Sequence, residues 1–181
     1  MLQRDDHESI DWQLVRKKVT AMAAAFTKPL VFKAFHALWY TEQMASLFPT
    51  SVFIRITRDP LENAASIVKL RKGLKGDVTE WASVQPKERE WLSRKGYGVQ
   101  IAGQIYYINK YLEKQFMLLP EARKLNLEYE SLCENPAAIL SQIAAKLGKG
   151  SDTEFIRKDP PGSFPVSFAS NELNEEELCA L

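Results

Sequence analysis

The sequence predicts an α/β fold in three layers, with a parallel sheet flanked by helices. Short apolar segments alternate with longer segments that carry apolar residues at helical spacing. Helix-start signals follow the apolar segments closely, as at Asp59-Pro60 and Asn135-Pro136. A length of 181 residues supports one hydrophobic core, so the chain is interpreted as a single domain over residues 1–181.

The individual elements are predicted from apolar spacing and from residues that begin or end helices. Three short apolar segments are predicted as strands: 30–35, 51–57 and 125–129. Five longer segments are predicted as helices: 9–26, 37–48, 60–70, 86–118 and 136–148. A loop is expected over 73–86, a break in the long helix near Gly96 and Gly98, and no clear pattern in the tail before about 171.

The segment 54–67 carries the most informative pattern of the chain. An apolar strand leads to Arg58, Asp59 is suited to be the N-cap of the next helix, and Glu62 completes a capping box. Such a junction gathers backbone N–H donors and the positive end of a helix dipole, so it favours an anion. Arg58 adds a planar fork of donors suited to phosphate, and Ser66 adds a hydroxyl eight positions later.

Two interpretations of Arg58 stay open at this point, because an arginine beside a capped helix also pairs readily with a carboxylate. Comparable candidates follow the other predicted strands, namely Lys33 and His36 after the first and Tyr129 after the third. Ligands of open α/β sheets bind at the carboxyl ends of the strands, so these side chains are expected along one edge. The structural alternatives are solvent contact for Lys33, helix capping or packing for His36, and a half-buried core position for Tyr129.

Four motifs, taken in order, resemble the sulfotransferases that use 3′-phosphoadenylyl sulfate (PAPS). They are Lys33 followed closely by His36, Phe48-Pro49, Arg58-Asp-Pro with Ser66, and the block Leu127-Glu-Tyr-Glu-Ser-Leu-Cys-Glu-Asn-Pro136 with Leu147-Gly148 after it. The resemblance covers about residues 29–148 and implies the sulfotransferase, or P-loop-nucleotide-hydrolase-like, fold. The tail over 150–181 is only weakly defined by it.

The resemblance implies transfer of a sulfuryl group from PAPS to a hydroxyl or amine acceptor, without a metal. Arg58 and Ser66 would bind the 3′-phosphate of PAPS or of its product PAP, and Tyr129 would lie near the adenine. This chemistry needs a cation at the leaving oxygen and a general base for the acceptor, roles implied for Lys33 and His36. Here the histidine follows the lysine by three positions, whereas cytosolic members space them by two.

One family feature is missing from the sequence, namely the Gly-rich loop that cradles the 5′-phosphosulfate. Residues 1–29 contain no glycine, and such a loop needs glycine because its backbone approaches the phosphate oxygens closely. The chain is therefore interpreted as lacking the first βα unit and as impaired in transfer on its own. The alternative is a non-catalytic nucleotide-binding or interaction remnant of the fold. A nucleotide kinase relative, the third interpretation, would need a Walker-type loop.

Composition limits which partners and which cellular location are expected for this chain. A net charge of +1 with 26% charged residues gives no case for nucleic acid or membrane binding. Cys133 and Cys179 have neither metal-site spacing nor a disulfide framework. With no apolar run of about 20 residues and no signal peptide, the cytoplasm is the expected location. The expected partners are the nucleotide co-substrate and a small-molecule or glycan acceptor, and an uncovered sheet edge would favour a homo-oligomer.

Overall fold

A computed structural model describes residues 10–26, 29–33, 35–148 and 161–181. The chain divides into two compact units, Met1–Pro49 and Thr50–Leu181. The described α-helices are α1 Trp12–Ala25, α2 Thr41–Leu47, α3 Pro60–Lys75, α4 Arg89–Leu92, α5 Tyr97–Met117, α6 Tyr129–Glu134, α7 Pro136–Gly148 and α8 Glu175–Ala180. The described strands are β1 Phe53–Thr57 and β2 Lys124–Glu128, and 3-10 turns cover His36–Tyr40, Glu121–Arg123 and Ala169–Glu172.

The first unit contains α1, a 3-10 turn and α2. Asp11 caps α1 by accepting a hydrogen bond from the Leu14 N–H at 2.9 Å. None of the residues in α1 is buried, although the ring of Trp12 meets that of Tyr40 edge-on at 5.3 Å between centroids. The predicted first helix is therefore confirmed, with its start moved to Trp12.

The strand predicted at 30–35 is wrong for the residues that the structure describes there. Residues 30–33 have no regular structure, and Phe35 lies in a turn that leads into the 3-10 helix. Val31 is 90% exposed. Apolar and β-branched residues fit a strand only when a neighbouring strand satisfies the backbone N–H and C=O groups, and no described strand pairs with this segment.

The second unit contains the parallel sheet, in which β1 pairs with β2 and Ile56 lies opposite Leu127. The α/β class and the parallel pairing of the second and third predicted strands are confirmed. The sheet of the described residues has two strands, so a larger sheet with helices on both faces and the missing first βα unit stay predictions. Ile54 and Ile56 remain exposed.

Local signals fix the ends of the helices in this unit. The helix α3 ends at Lys75, five residues beyond the predicted end near residue 70, and Gly76 follows as its C-cap with a left-handed φ of 73°. The predicted loop therefore starts later. The predicted long helix is split into α4 and α5, with Gly96 as the N-cap of α5. Asn135 caps α7 through the Ala138 N–H at 3.1 Å, as predicted.

The core that positions the site forms where α3 packs against α5. Ala64, Val68 and Ile101 are buried there, and Leu173 and Leu181 from the C-terminal segment pack against them. The helix α6 was not predicted, since Tyr129 begins it directly after β2 instead of ending a strand.

Candidate functional site

At the junction between β1 and α3, Asp59 caps the helix as the sequence predicts, but the second hydrogen bond of the predicted capping box, from the Asp59 N–H to Glu62, is not formed. Asp59 accepts a hydrogen bond from the Glu62 N–H at 2.9 Å. The Asp59 N–H donates to Glu130 Oε1 at 3.4 Å, while the Glu62 carboxylate accepts from the N–H of Ser170 at 3.3 Å and from its hydroxyl. The predicted capping box is therefore replaced by contacts to distant parts of the chain.

Arg58 is held at the end of β1 by three partners, two from α3 and one from the C-terminal segment. Its Nη1 donates to Ser66 Oγ at 3.0 Å, which joins the two residues that the sequence pairs across the junction. Its Nη2 lies 3.6 Å from Glu62 Oε2 and donates to the Ser167 carbonyl oxygen. The side chain is 21% exposed, so part of the guanidinium remains open to solvent.

Tyr129 lies beside this arginine. The Arg58 guanidinium carbon is 4.8 Å from the centroid of the Tyr129 ring, within the range of a cation–π contact. Tyr129 is half-buried at the start of α6, so the parallel pairing of β1 and β2 brings it to Arg58. The structure thus brings Arg58, Ser66 and Tyr129 together, and their role in binding a nucleotide stays a prediction.

Glu62 is the main counter-ion of Arg58. Burial raises the pKa of its carboxyl, but the hydrogen bonds from Ser170 and Ala169 and the charge of Arg58 lower it by more. The net pKa of Glu62 lies below its usual value, so the group is ionised at neutral pH. An anion that approaches Arg58 must therefore compete with a carboxylate already present.

An open cleft of about 300 Å³ adjoins the junction. Its lining combines the cation of Arg58 with three acidic side chains and two further residues of the junction: Asp59, Glu128, Glu130, Thr57 and Pro60. The acidic side chains oppose a phosphate by like-charge repulsion. The donors that the junction offers to oppose this repulsion are the Arg58 guanidinium and the Ser66 hydroxyl, because the Glu62 N–H at the start of α3 already donates to Asp59.

Lys33 and His36, the predicted catalytic residues, lie in the first unit. The described residues before Lys33, 29–32, do not form a strand. Lys33 is exposed, and its Nζ is 4.7 Å from the centroid of the Phe35 ring. His36 is the first residue of the 3-10 turn. Their expected position at the carboxyl end of a strand is wrong for the described residues, because the segment pairs with no described strand.

Glu62, Ser167 and Ser170 contact or surround Arg58 and were not assigned to the site by sequence. Glu62 could have been found from the sequence, because the predicted cap at Asp59 places its carboxylate in the first turn of α3, four residues after Arg58. Ser167 follows Arg58 by 109 residues, and no pattern in the tail indicates the contact. Such distant contacts follow from packing rather than from local propensity.

The parallel strands make this chain an α/β protein, and the polar side chains at Arg58 lie at the carboxyl end of β1, where open α/β sheets bind their ligands. A family model described as "Sulfotransferase family" matches residues 2–151, and the chain belongs to this family. Membership supports a transferase whose general chemistry is sulfuryl transfer. The match begins before residue 29, where the sequence motifs begin, and so includes α1. There is no significant match among curated proteins or among solved structures.

Two further findings concern only the residues that the structure describes. None of their helices is both long and apolar enough to cross a bilayer. Their acidic, cysteine and histidine side chains form no group of three or more that could hold a metal ion.

Proposed function

We propose that the junction of β1 and α3 binds the 3′-phosphate of PAPS, and that the protein transfers its sulfuryl group to a hydroxyl or amine acceptor. The hydrogen bond of 3.0 Å between Arg58 and Ser66 supports this proposal most directly. It joins a planar cationic donor and a hydroxyl beside the N-terminus of a 16-residue helix. A guanidinium and a hydroxyl held side by side suit a phosphate with several acceptor oxygens, and the positive end of the α3 dipole adds to the attraction.

The adenine of the nucleotide is proposed to lie beside Tyr129. The ring is half-buried and lies next to Arg58, so a base and its attached phosphate can contact the two residues together. Aromatic side chains bind bases by stacking, which contributes about 1–3 kcal/mol per base. The acceptor is proposed to be a small molecule or a glycan.

The transfer step is proposed to use Lys33 and His36, from the resemblance to the family. The acceptor oxygen or nitrogen attacks sulfur, the bond from sulfur to the bridging oxygen of PAPS breaks, and PAP leaves. Lys33 would stabilise the charge on that oxygen, and His36 would take the proton of the acceptor. Lys33 is exposed and has no acidic partner among its described contacts.

The phosphate site is tested by titrating PAP into the wild type and Arg58→Ala by calorimetry. Loss of a charge-assisted contact should cost about 1.5–3 kcal/mol, or about 10- to 150-fold in Kd. Arg94→Ala is the matched control, because it removes the same charge from a side chain that is 76% exposed on the surface. Equal affinity for PAP in the wild type and Arg58→Ala would refute the assignment.

A second candidate function is a non-catalytic nucleotide-binding or interaction domain. The observation that favours it is that both terminal nitrogens of Arg58 already contact groups of the chain itself, namely Ser66, Glu62 and Ser167. A transfer assay with radiolabelled PAPS and a broad panel of acceptors separates the two candidates. Because residues 1–29 lack a Gly-rich loop, we expect this chain alone to transfer poorly while still binding PAP. Detectable transfer by this chain, even if slow, would favour the enzyme, and PAP binding without detectable transfer would favour the second candidate.

A further inference from the structure

The C-terminal strap, defined as residues 161–181, lies on α3 through charged contacts. Glu172 Oε1 is 2.5 Å from Lys69 Nζ, and Glu177 Oε1 is 2.5 Å from Lys72 Nζ. The hydrogen bond from Lys72, together with the cap of α8 at Asn174, lowers the pKa of Glu177. Lys69, Glu172 and Lys72 are each more than a third exposed, so these pairs contribute little energy individually and mainly set the position of the strap.

Close packing holds the end of the strap against the core. Leu173 and Leu181 pack on the core cluster between α3 and α5. A Cβ atom at Gly98 would lie 1.6 Å from the Ala180 carbonyl oxygen, far inside contact distance. Only glycine therefore allows this approach of the strap to α5.

The other part of the strap reaches Arg58. The Ser167 carbonyl oxygen accepts a hydrogen bond from Arg58 Nη2. Three residues later, the N–H and hydroxyl of Ser170 donate to the Glu62 carboxylate, whose Oε2 lies 3.6 Å from the same Nη2. The strap thus supplies one acceptor to the arginine and holds a second acceptor beside it.

We propose that the C-terminal strap is an intramolecular competitor for the anion at Arg58. This inference rests on the proposed function of Arg58 as the phosphate-binding residue. Nη2 donates a hydrogen bond to the Ser167 carbonyl oxygen and lies 3.6 Å from Glu62 Oε2, so a phosphate oxygen that binds Nη2 competes with these two acceptors. The Ser167 carbonyl is the more easily displaced, because Glu62 also bears a charge that attracts Arg58.

Competition of this kind is reciprocal. If the strap weakens nucleotide binding, the nucleotide must loosen the strap by the same factor. The binding of PAP should therefore raise amide hydrogen exchange over residues 167–173, where the Ser170 N–H loses its acceptor when the strap moves. The helix α3 should exchange no faster, because its own hydrogen bonds stay in place.

The substitution Gly98→Ala should push the C-terminal end of the strap away from α5, because the new Cβ clashes with the Ala180 carbonyl oxygen. It leaves Arg58, Ser66 and Glu62 unchanged. We expect this variant to bind PAP about fivefold or more tightly than the wild type, measured by calorimetry. Gly73→Ala is the matched control, because a Cβ there meets nothing within 4 Å and the glycine also lies in a helix. Its affinity for PAP should equal that of the wild type.

Amide hydrogen exchange of the wild type, measured with and without PAP, tests whether the strap competes with the nucleotide, and it does not require that Gly98→Ala folds. Faster exchange over 167–173 with PAP supports competition. Unchanged or slower exchange, with PAP bound through Arg58, refutes the competition and leaves the phosphate site standing. If no variant binds PAP, or if Arg58→Ala binds it as the wild type does, the proposed phosphate site fails and the competition fails with it.

Discussion

The two units of the chain differ in how far their elements are supported by packing. In Thr50–Leu181, α3 and α5 enclose Val68 and Ile101, both fully buried, and the residues predicted at the junction lie together. In Met1–Pro49, no residue of α1 is buried, and residues 30–33 of the predicted strand 30–35 are irregular and mostly exposed. Local signals form helices in both units, but a strand and a multi-residue site need partners from elsewhere in the chain.

The largest effect of this difference in packing is expected at Arg71, in the second unit. It is fully buried, its Nη1 donates to Val78 O and Gln100 Oε1 at 3.0 Å each, and its Nη2 donates to Gln104 Oε1 at 3.0 Å. Arg71→Ala leaves these acceptors without a donor and opens a cavity, so we expect a loss of about 2–5 kcal/mol in the free energy of unfolding. Urea denaturation followed by tryptophan fluorescence measures it.

The matched control for Arg71 lies in the first unit. Arg16 is exposed on α1, so Arg16→Ala should change the free energy of unfolding by no more than about 0.5 kcal/mol. Similar unfolding midpoints for the two variants would contradict the difference in packing between the units.

Removing a helix cap should change stability by a smaller amount, and each unit has one cap of the same kind, so the two can be compared directly. Asp59 and Asp11 each accept a backbone hydrogen bond at 2.9 Å at the start of α3 and α1. Asp59→Ala should cost about 1 kcal/mol of global stability, because α3 is part of the core. Asp11→Ala should lower the helical circular dichroism of α1 without shifting the urea midpoint. Equal shifts of that midpoint would show that α1 is coupled to global unfolding.

The smallest effect is expected from the titration of Glu62. Its pKa in the folded protein is lowered by the hydrogen bonds from Ser170 and Ala169 and by Arg58, against the opposing effect of burial. Its contribution to stability is therefore present above the pKa of an unfolded glutamate and is lost as the pH falls through the lowered folded value.

Glu62→Gln removes this contribution, so its stability should fall less steeply than that of the wild type between about pH 5 and pH 3. Thermal unfolding across that range measures the slope. Glu90→Gln is the control, because the side chain of Glu90 is 91% exposed, and its curve should follow the wild type. A Glu62→Gln curve parallel to the wild type would mean that the contact to Ser170 contributes nothing to the pH dependence.

Residues close in sequence determined the junction and most of the helix ends. Asp59 as a cap, the approach of Ser66 to Arg58 and the start of α7 after Asn135 all depend on contacts within one strand-to-helix segment or one helical turn. Such contacts form wherever the local backbone forms, so spacing alone predicts them. The ordered motifs were also sufficient to indicate the sulfotransferase family, which the family match confirms.

Only the tertiary structure decided which partners occupy Arg58 and whether residues 30–33 form a strand. The contacts of Arg58 with Ser167 and of Glu62 with Ser170 join residues 109 and 108 positions apart. No local pattern specifies them, because they depend on how the C-terminal strap packs on α3 and α5. An apolar segment likewise becomes a strand only when another strand satisfies its backbone groups, and that condition lies outside the segment itself.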